Sequence, residues 1–259
     1  MKTDRSATRA LIRNVPASYA PTYEKRGTAI LQSLAEQQHA AYRSALERAG
    51  LRVEVVAASE LHYDCVFVED AAVVWQDTAL IGRSTGDRDG EQAPVADVLR
   101  KTHTLHAMPP AALLEGGDVL HVEDVTYVGS SSRTNTEGIA ALTKFLGDFG
   151  RKVIAVPVTR ALHLKTATTY LGGGTIVAAS GLIDPDQLHV PNIFWTAPGE
   201  ACAANCIRVR KHLFMPARCP LMEARLREFS DGQGLTLEVI DISEFEKGEG
   251  SLTCLSVIW

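Results

Sequence analysis

A hairpin recurs four times along this chain of 259 residues, and the recurrence limits the architectures open to it. "AAVVWQDTALIG" reads as two apolar strands joined at Gln76-Asp77, and "DVLHVEDVTYVG" does the same around Glu123-Asp124. "TTYLGGGTIVAAS" turns at Gly172 to Gly174, and "CIRVRKHLFMP" turns near Lys211. Turns spaced by about 47, 49 and 39 residues signal repeated supersecondary units.

The segments after the hairpins repeat as well. After the third module, "RTNTEGIAALTKFLGDFG" carries an Asn135 cap, apolar residues at helical spacing and a closing Gly150, and the strand "RKVIAVPV" comes next. "PLMEARLREFSDGQG" followed by "LTLEVIDI" gives the same order after the fifth hairpin. The first module has a long helix with Ile30, Leu34, Ala41 and Ala45 on one face, ending at Gly50 before "LRVEVVA". Five units of hairpin, helix and strand fill the chain, read as a single domain over 1–259, since no linker or low-complexity tract divides it. A ring of five such units leaves no free sheet edge between neighbours. A doubly wound open sheet is the alternative, but it does not predict paired strands before each helix.

Bulk properties narrow the partners. A net charge of -5 argues against a nucleic-acid footprint, which needs a clustered basic face. No run approaches the roughly 20 apolar residues that span a bilayer. The opening "MKTDRSATRALIRNVPASYA" lacks the apolar core of a secretory signal, so the expected location is cytoplasmic. Five cysteines are an odd number in a large chain and do not form a secreted disulfide framework. The pair in "ACAANC" lacks two further ligands nearby, so no metal is expected there.

The polar residues that interrupt the apolar pattern stand just ahead of successive hairpins. Asp64, Glu69 and Asp70 precede the second, Glu115 and Asp118 the third, and His163 the fourth. Pseudo-equivalent positions in a ring point to the same end of its axis, where these groups meet. Cys254 in "GSLTCLSVIW", on the last strand to close the ring, would face them. Each residue also has an ordinary structural reading: Glu69-Asp70 as a solvated turn, Glu115 before Gly116-Gly117 as turn chemistry, His163 as a core histidine, Cys254 as strand filling. "LGGG" runs into a strand instead of a helix, which argues against a phosphate cradle. Together the residues supply a thiol, a histidine and several carboxylates, the inventory for attack on a cationic carbon.

At these positions "DCVFVEDAAVV", "LEGGDVL", "GSSSRTN", "LHLKT", "AANCI" and "SLTCLSV" resemble, in order and from about Leu11 to Val257, the motifs of the dimethylarginine dimethylaminohydrolase family. That family is part of the guanidino-group-modifying (pentein) superfamily. The resemblance implies a five-bladed α/β-propeller. It also implies hydrolysis of Nω-methylated arginines to citrulline and methylamine or dimethylamine, through a covalent cysteine thiouronium. Arginine deiminase, or another guanidino or ureido hydrolase of the superfamily, is the alternative, although typical deiminases insert an extra helical segment. By motif match Cys254 takes the nucleophile's position, His163 the acid/base position and Glu115 the acid that orients the histidine. Asp70, with Glu69 beside it, matches the grip on the guanidinium, and Asp64 lines the amino-acid end. Arg133 and Arg88 match the arginines for the substrate carboxylate, with Arg83 the alternative to Arg88. Val15 matches a lid position whose backbone contacts substrate, and Gly248 a backbone contact near the cysteine. Tyr63 stands where the family usually has proline. The resemblance implies no cofactor, no metal, a small guanidino substrate, and a monomer or homodimer.

Overall fold

Four of the ring's hairpins close on two residues, and in three the first of the pair takes positive φ. Gln76 (φ 56°), Glu123 (φ 46°) and Arg210 (φ 52°) each sit in the left-handed region that such tight turns require. In the fourth, Gly173 and Gly174 supply it without steric cost. The computed structural model describes residues 7–259.

The strands, in chain order, are β1 (Arg9–Arg13), β2 (Arg52–Val56), β3 (Ala72–Trp75), β4 (Thr78–Ile81), β5 (Thr104–Ala107), β6 (Val119–Val122), β7 (Val125–Ser130) and β8 (Lys152–Pro157). They continue with β9 (Thr168–Gly172), β10 (Thr175–Ala178), β11 (Asn192–Trp195), β12 (Ile207–Val209), β13 (His212–Pro216), β14 (Thr236–Ile240) and β15 (Val257–Ile258). They form five three-stranded sheets, β15-β1-β2, β3-β4-β5, β6-β7-β8, β9-β10-β11 and β12-β13-β14. In each the first pair is antiparallel and the second parallel. The unit that begins the chain borrows its inner strand from the end, with Ala10 opposite Ile258 and Leu11 opposite Val257. This is the five-bladed α/β-propeller.

The inner strands β3, β6, β9, β12 and β15 all contribute residues to one axial cavity of about 100 Å³. The outer strands β2, β8 and β14 share the pattern exposed, half-buried, half-buried, exposed, buried, as befits a rim covered on one side by a helix. Helix Thr136–Gly147 covers one such sheet. Its Asn135 side chain accepts from the Gly138 amide at 2.9 Å, and its Leu142, Phe145 and Leu146 pack with Trp75, Val119 and Val128 across two units. Helix Pro220–Gln233 ends at Gly234 in the left-handed conformation and is capped from a distance. The buried Glu200 carboxylate accepts from the amides of Leu221 (3.0 Å) and Met222 (2.7 Å), two of the donors a helix start leaves unpaired.

Three expectations need correction. The long helix runs Gln32–Arg48, but it buries Ala35, Gln38, His39, Tyr42, Ala45 and Leu46, whereas Ala41 is exposed and Leu34 only half-buried. Polar Gln38 belongs inside because it is paired there, donating to Ser243 Oγ (2.8 Å) and accepting from the Glu244 amide (3.0 Å). The fourth unit crosses from β10 to β11 with a single 3₁₀ turn, Pro185–Gln187, where a helix was expected. Cys254 is not on the closing strand but on a 3₁₀ turn, Thr253–Leu255, just ahead of it. Among the described residues no helix is long and apolar enough to cross a membrane.

Replacing Glu200 with alanine should free the first amides of helix Pro220–Gln233 and destabilise the fold by about 1–2 kcal/mol, as loss of a cap does. Urea unfolding of the variant would show it. An unchanged midpoint would mean that solvent satisfies those amides equally well.

Candidate active site

A short helical turn precedes the inner strand of every unit: Val68–Ala71, Gly116–Asp118, Leu164–Ala167, Ala201–Ala204 and Thr253–Leu255. The unusual residues ride on these turns or at their first positions. Asp70 lies within the first, Glu115 and His163 are the N-cap residues of the second and third, and Cys254 lies within the last. Equivalent places in a ring bring them to one end of the axis, at the floor of a cavity of about 320 Å³. Asp64, Asp70, Arg88, Arg133, His163, Gly248 and Cys254 all line it, joined by Tyr23, Arg26 and Tyr63.

At the floor, His163 Nε2 lies 2.7 Å from Glu115 Oε2 and 3.9 Å from Asp70 Oδ1. Asp118, fully buried, accepts from the Leu164 amide (2.9 Å), Ser131 Oγ (2.6 Å) and Thr134 Oγ1 (2.7 Å), which fixes the backbone that carries the histidine. Burial opposes a charge on His163, but Asp70, Glu115 and Asp118 outweigh it and raise the imidazole to about 9. Burial pushes the Cys254 thiol upward, and the nearby Glu69 and Asp70 carboxylates push the same way. The resting site therefore holds a protonated histidine beside a neutral thiol.

Known proteins are similar to this chain in sequence and in fold. The model of the family described as N,N dimethylarginine dimethylhydrolase, eukaryotic, matches residues 17–189. An N(G),N(G)-dimethylarginine dimethylaminohydrolase from Streptomyces coelicolor is 38% identical over 226 residues, 86% of this chain and 85% of its own. Its counterpart from Pseudomonas aeruginosa is 30% identical over 258 residues, 98% of this chain and 96% of its own. A solved structure of the Pseudomonas aeruginosa protein, a cysteine-to-serine variant complexed with citrulline, matches with a TM-score of 0.88 at 27% identity, covering 98% and 99% of the two chains. The chain belongs to the dimethylarginine dimethylaminohydrolase family. It is thus a hydrolase with the pentein fold.

Within this dimethylaminohydrolase fold the other expected residues fall in several places. Asp64 accepts from Tyr23 Oη at 2.8 Å, and burial raises its carboxyl despite that bond. Gly248 lines the cavity, and its carbonyl lies 3.1 Å from Tyr23 Oη, where it can take that single proton only in competition with the nearer Asp64 carboxylate. Val15 lies outside the cavity lining, half-buried against the core around Tyr19. Glu69 turns away from the pocket toward the axial cavity, where it pairs with Lys165 and accepts from Thr253 Oγ1 at 2.8 Å. It lies behind the cysteine turn, not beside Asp70 in the pocket, because adjacent residues on a tight turn point to different sides.

Arg88 lines the pocket, yet not at the amino-acid end expected of it. Its guanidinium donates to Asp70 Oδ2 (2.6 Å), the Phe67 carbonyl (3.0 Å) and Glu91 Oε1 (2.5 Å), at the floor beside the histidine. Arg83 offers no replacement, since its exposed side chain lies outside the lining. Asp70, Glu115 and His163 also bring donor atoms within 4.8 Å of one another, a set able to hold a metal ion. A guanidinium already takes the cation's place there, 2.6 Å from Asp70 and 3.8 Å from Glu115. The set is built around an arginine.

Sequence reasoning overlooked Tyr23, Arg26 and Gly117. The first two sit in a stretch with no apolar periodicity to interrupt. Gly117 had a signal in "GGD": its amide donates to Asp70 Oδ1 at 2.9 Å, and a Cβ there would lie 2.7 Å from His163 Nδ1. A Gly117→Ala variant should displace the imidazole and lower kcat by about a hundredfold, the usual cost of a misplacement on the ångström scale. Near-normal kcat in the folded variant would show that the ring yields without loss.

The raised pKa of His163 also sets a stability profile. The contribution is fully present below the unfolded value of 6.5 and is lost as pH rises through about 9. That shift corresponds to about 3 kcal/mol. Denaturant unfolding at both ends of this window should show wild type losing about that much more than His163→Gln. Equal losses would remove the charge from the resting histidine.

Proposed function

We propose that this chain hydrolyses Nω-methylated L-arginines, asymmetric dimethylarginine and monomethylarginine, to L-citrulline and dimethylamine or methylamine, with Cys254 as nucleophile. The observation that carries this reading is one cavity lined by a thiol, a carboxylate and a histidine, drawn from separate units of the ring, with the buried Glu115 bonded to that histidine from behind the lining. Family membership supports the same substrate class.

The resting charges suit the chemistry. A neutral thiol is a poor nucleophile, and a free one titrates near about 8.5 before burial raises it. A substrate guanidinium brings its own positive charge against Cys254, Asp70 and Glu115, and that cation lowers the thiol's pKa and favours loss of its proton to solvent. The thiolate attacks the guanidinium carbon to give a tetrahedral adduct. His163, already protonated, gives its proton to the departing amine, since an amine anion is not a viable leaving group. The thiouronium left on Cys254 is then attacked by water. The neutral His163 takes up one proton of the water, the C–S bond breaks, and the departing sulfur takes up the second proton to restore the neutral thiol, leaving citrulline. Asp70 grips the planar cation through charge-assisted hydrogen bonds, and Glu115 holds the imidazole for both steps. No cofactor enters this scheme. A reactive thiol and four further unpaired cysteines suit a reducing compartment, so we place the enzyme in the cytoplasm. We take it as a single catalytic domain, working as a monomer or homodimer.

The test is to incubate purified protein with arginine, monomethylarginine and both dimethylarginine isomers, identify products by mass and repeat with Cys254→Ser. Citrulline should form from the asymmetric isomer and monomethylarginine, and the serine variant should lose turnover with its fold intact. In the symmetric isomer one methyl must enter the Asp70 side, where it removes a charge-assisted donor and adds steric bulk, so discrimination of at least about tenfold is expected. Equal use of both isomers would sink the Asp70 grip, and a strong preference for plain arginine would move the chain to the deiminase reading.

A further inference from the structure

The motif "AANCI" stands out in the sequence, yet the pocket takes no lining residue from it. Turns of the other units supply Asp70, Glu115, His163 and Cys254, whereas Ala201–Ala204 supplies the pocket with nothing. What this turn offers instead is its C-cap residue Asn205, only 2% exposed and bonded to the back of the cysteine turn. Asn205 Nδ2 donates to the Lys165 carbonyl (2.9 Å) and to Thr253 Oγ1 (3.0 Å), and Oδ1 accepts from the Thr253 amide (2.9 Å). The orientation of the side-chain amide follows from its partners, because a carbonyl only accepts and a backbone N–H only donates. The Thr253 hydroxyl keeps its own proton for Glu69 Oε2, 2.8 Å away.

The cysteine turn needs such support. Thr253–Leu255 is three residues long, and the bonds that close it, from the amides of Leu255 and Ser256, are both 3.3 Å. A turn this short, with hydrogen bonds this long, holds itself weakly. Outside contacts hold it on either side of the thiol: Asn205 at Thr253, and Tyr42 Oη at 2.7 Å from Ser256 Oγ. Asn205 is itself fixed. The Thr169 hydroxyl clasps the backbone on both sides of it, donating to the Ala204 carbonyl (2.7 Å) and accepting from the Cys206 amide (2.9 Å). A short side chain with an acceptor and two donors meets the Lys165 carbonyl and both polar groups of Thr253 at once. Aspartate would lack the donors and bring a second negative charge beside Glu69.

We propose that Asn205 is the positioning residue of the nucleophile: by holding the amide and hydroxyl of Thr253 it sets the direction of the Cys254 thiol. This inference rests on the reading of Cys254 as nucleophile. Asn205 touches no reacting atom. Its effect belongs to the chemical step, where the sulfur must stand about 3–3.5 Å from the carbon it attacks. Substrate binding depends on the pocket lining, to which Asn205 makes no hydrogen bond among the described residues.

Steady-state kinetics with asymmetric dimethylarginine test it in wild type, Asn205→Ala, Thr253→Val, Thr253→Ser and the double variant that joins the alanine and valine changes. Asn205→Ala should lower kcat by about tenfold to a hundredfold, as misplacement on the ångström scale does, with KM within about threefold. Thr253→Val removes the hydroxyl that Asn205 meets and should lose kcat in the same way. The double variant should be little worse than Asn205→Ala alone, because both changes release one hold. Thr253→Ser keeps the hydroxyl and should recover most of what valine loses. Unchanged kcat in folded Asn205→Ala overturns the proposal, and so does a loss carried by KM instead of kcat. Losses that multiply in the double variant, or a serine variant as slow as the valine one, also overturn it. Should Asn205→Ala fail to fold, the valine and serine variants decide the matter by the same split of kcat from KM. Full turnover by Cys254→Ser would bring down the nucleophile reading and this one with it. Wild-type turnover that Cys254→Ser abolishes and Asn205→Ala leaves unimpaired would bring down this one alone.

Discussion

Charge balance in a sealed space is the constraint on which the floor of this pocket depends. Asp70, Glu91, Glu115 and Asp118 are buried together, with Arg88 and His163 as the cations set among them. Each cation is held charged by acids that would be costly to bury alone, and each acid is tolerable only because a cation is near. Burial alone would neutralise Glu91, which rises to about 7 even beside Arg88, whereas Asp70 is held down by His163 and Arg88 against its own desolvation. The excess of carboxylates keeps His163 protonated, and it leaves unmet negative potential for an arriving guanidinium to satisfy.

The cysteine turn is held from the other side by a polar chain along the axis. Lys165 pairs with Glu69, Glu69 accepts from Thr253 Oγ1, and Asn205 donates to that same oxygen at 3.0 Å while accepting from the Thr253 amide at 2.9 Å. Asn205 Nδ2 also reaches the Lys165 carbonyl at 2.9 Å, so turns of the second, fourth, fifth and closing units are linked directly behind the thiol. With no cation adjacent on its own turn, Cys254 stays protonated at rest. In the proposed mechanism, a nucleophile that waits for its substrate's charge discriminates against neutral molecules before any contact is made.

The repeat was legible in the sequence because each inner and middle strand is an apolar run broken at one place. The break located the turns, while the turn residues themselves carried no signal: Gln76, Glu123 and Arg210 are not the usual choices for positive φ. The helix cap at Asn135 and the exit glycines at 50 and 150 were readable from local chemistry, which acts over one turn of chain. The buried face of helix Gln32–Arg48 was misread because Gln38 and His39 break the apolar stripe, and the partners of Gln38 lie more than 200 residues away. Arg88 and Glu69 were placed too simply for the same reason. The resemblance located them on the chain, but which carboxylate, lysine or threonine each side chain meets is decided by other units of the ring.

The ring also separates chemistry from recognition. The residues to which the proposed mechanism gives bond breaking sit on the turns that lead into the inner strands, where backbone, neighbours and buried charge all restrain them. Residues at the mouth sit on the segment around helix Tyr19–Lys25 and on the loop through Asp87, joined by the exposed pair of Arg26 and Asp87 at 2.7 Å. An amide pair from Ala17 and Ser18 onto the exposed Glu60 carboxylate, at 3.0 and 2.8 Å, fastens the same segment. Contacts of this kind open at little cost compared with the packed core. On the proposed reading, recognition of the amino-acid end is therefore free to change by substitution at the mouth, while the charge balance at the floor fixes the reaction.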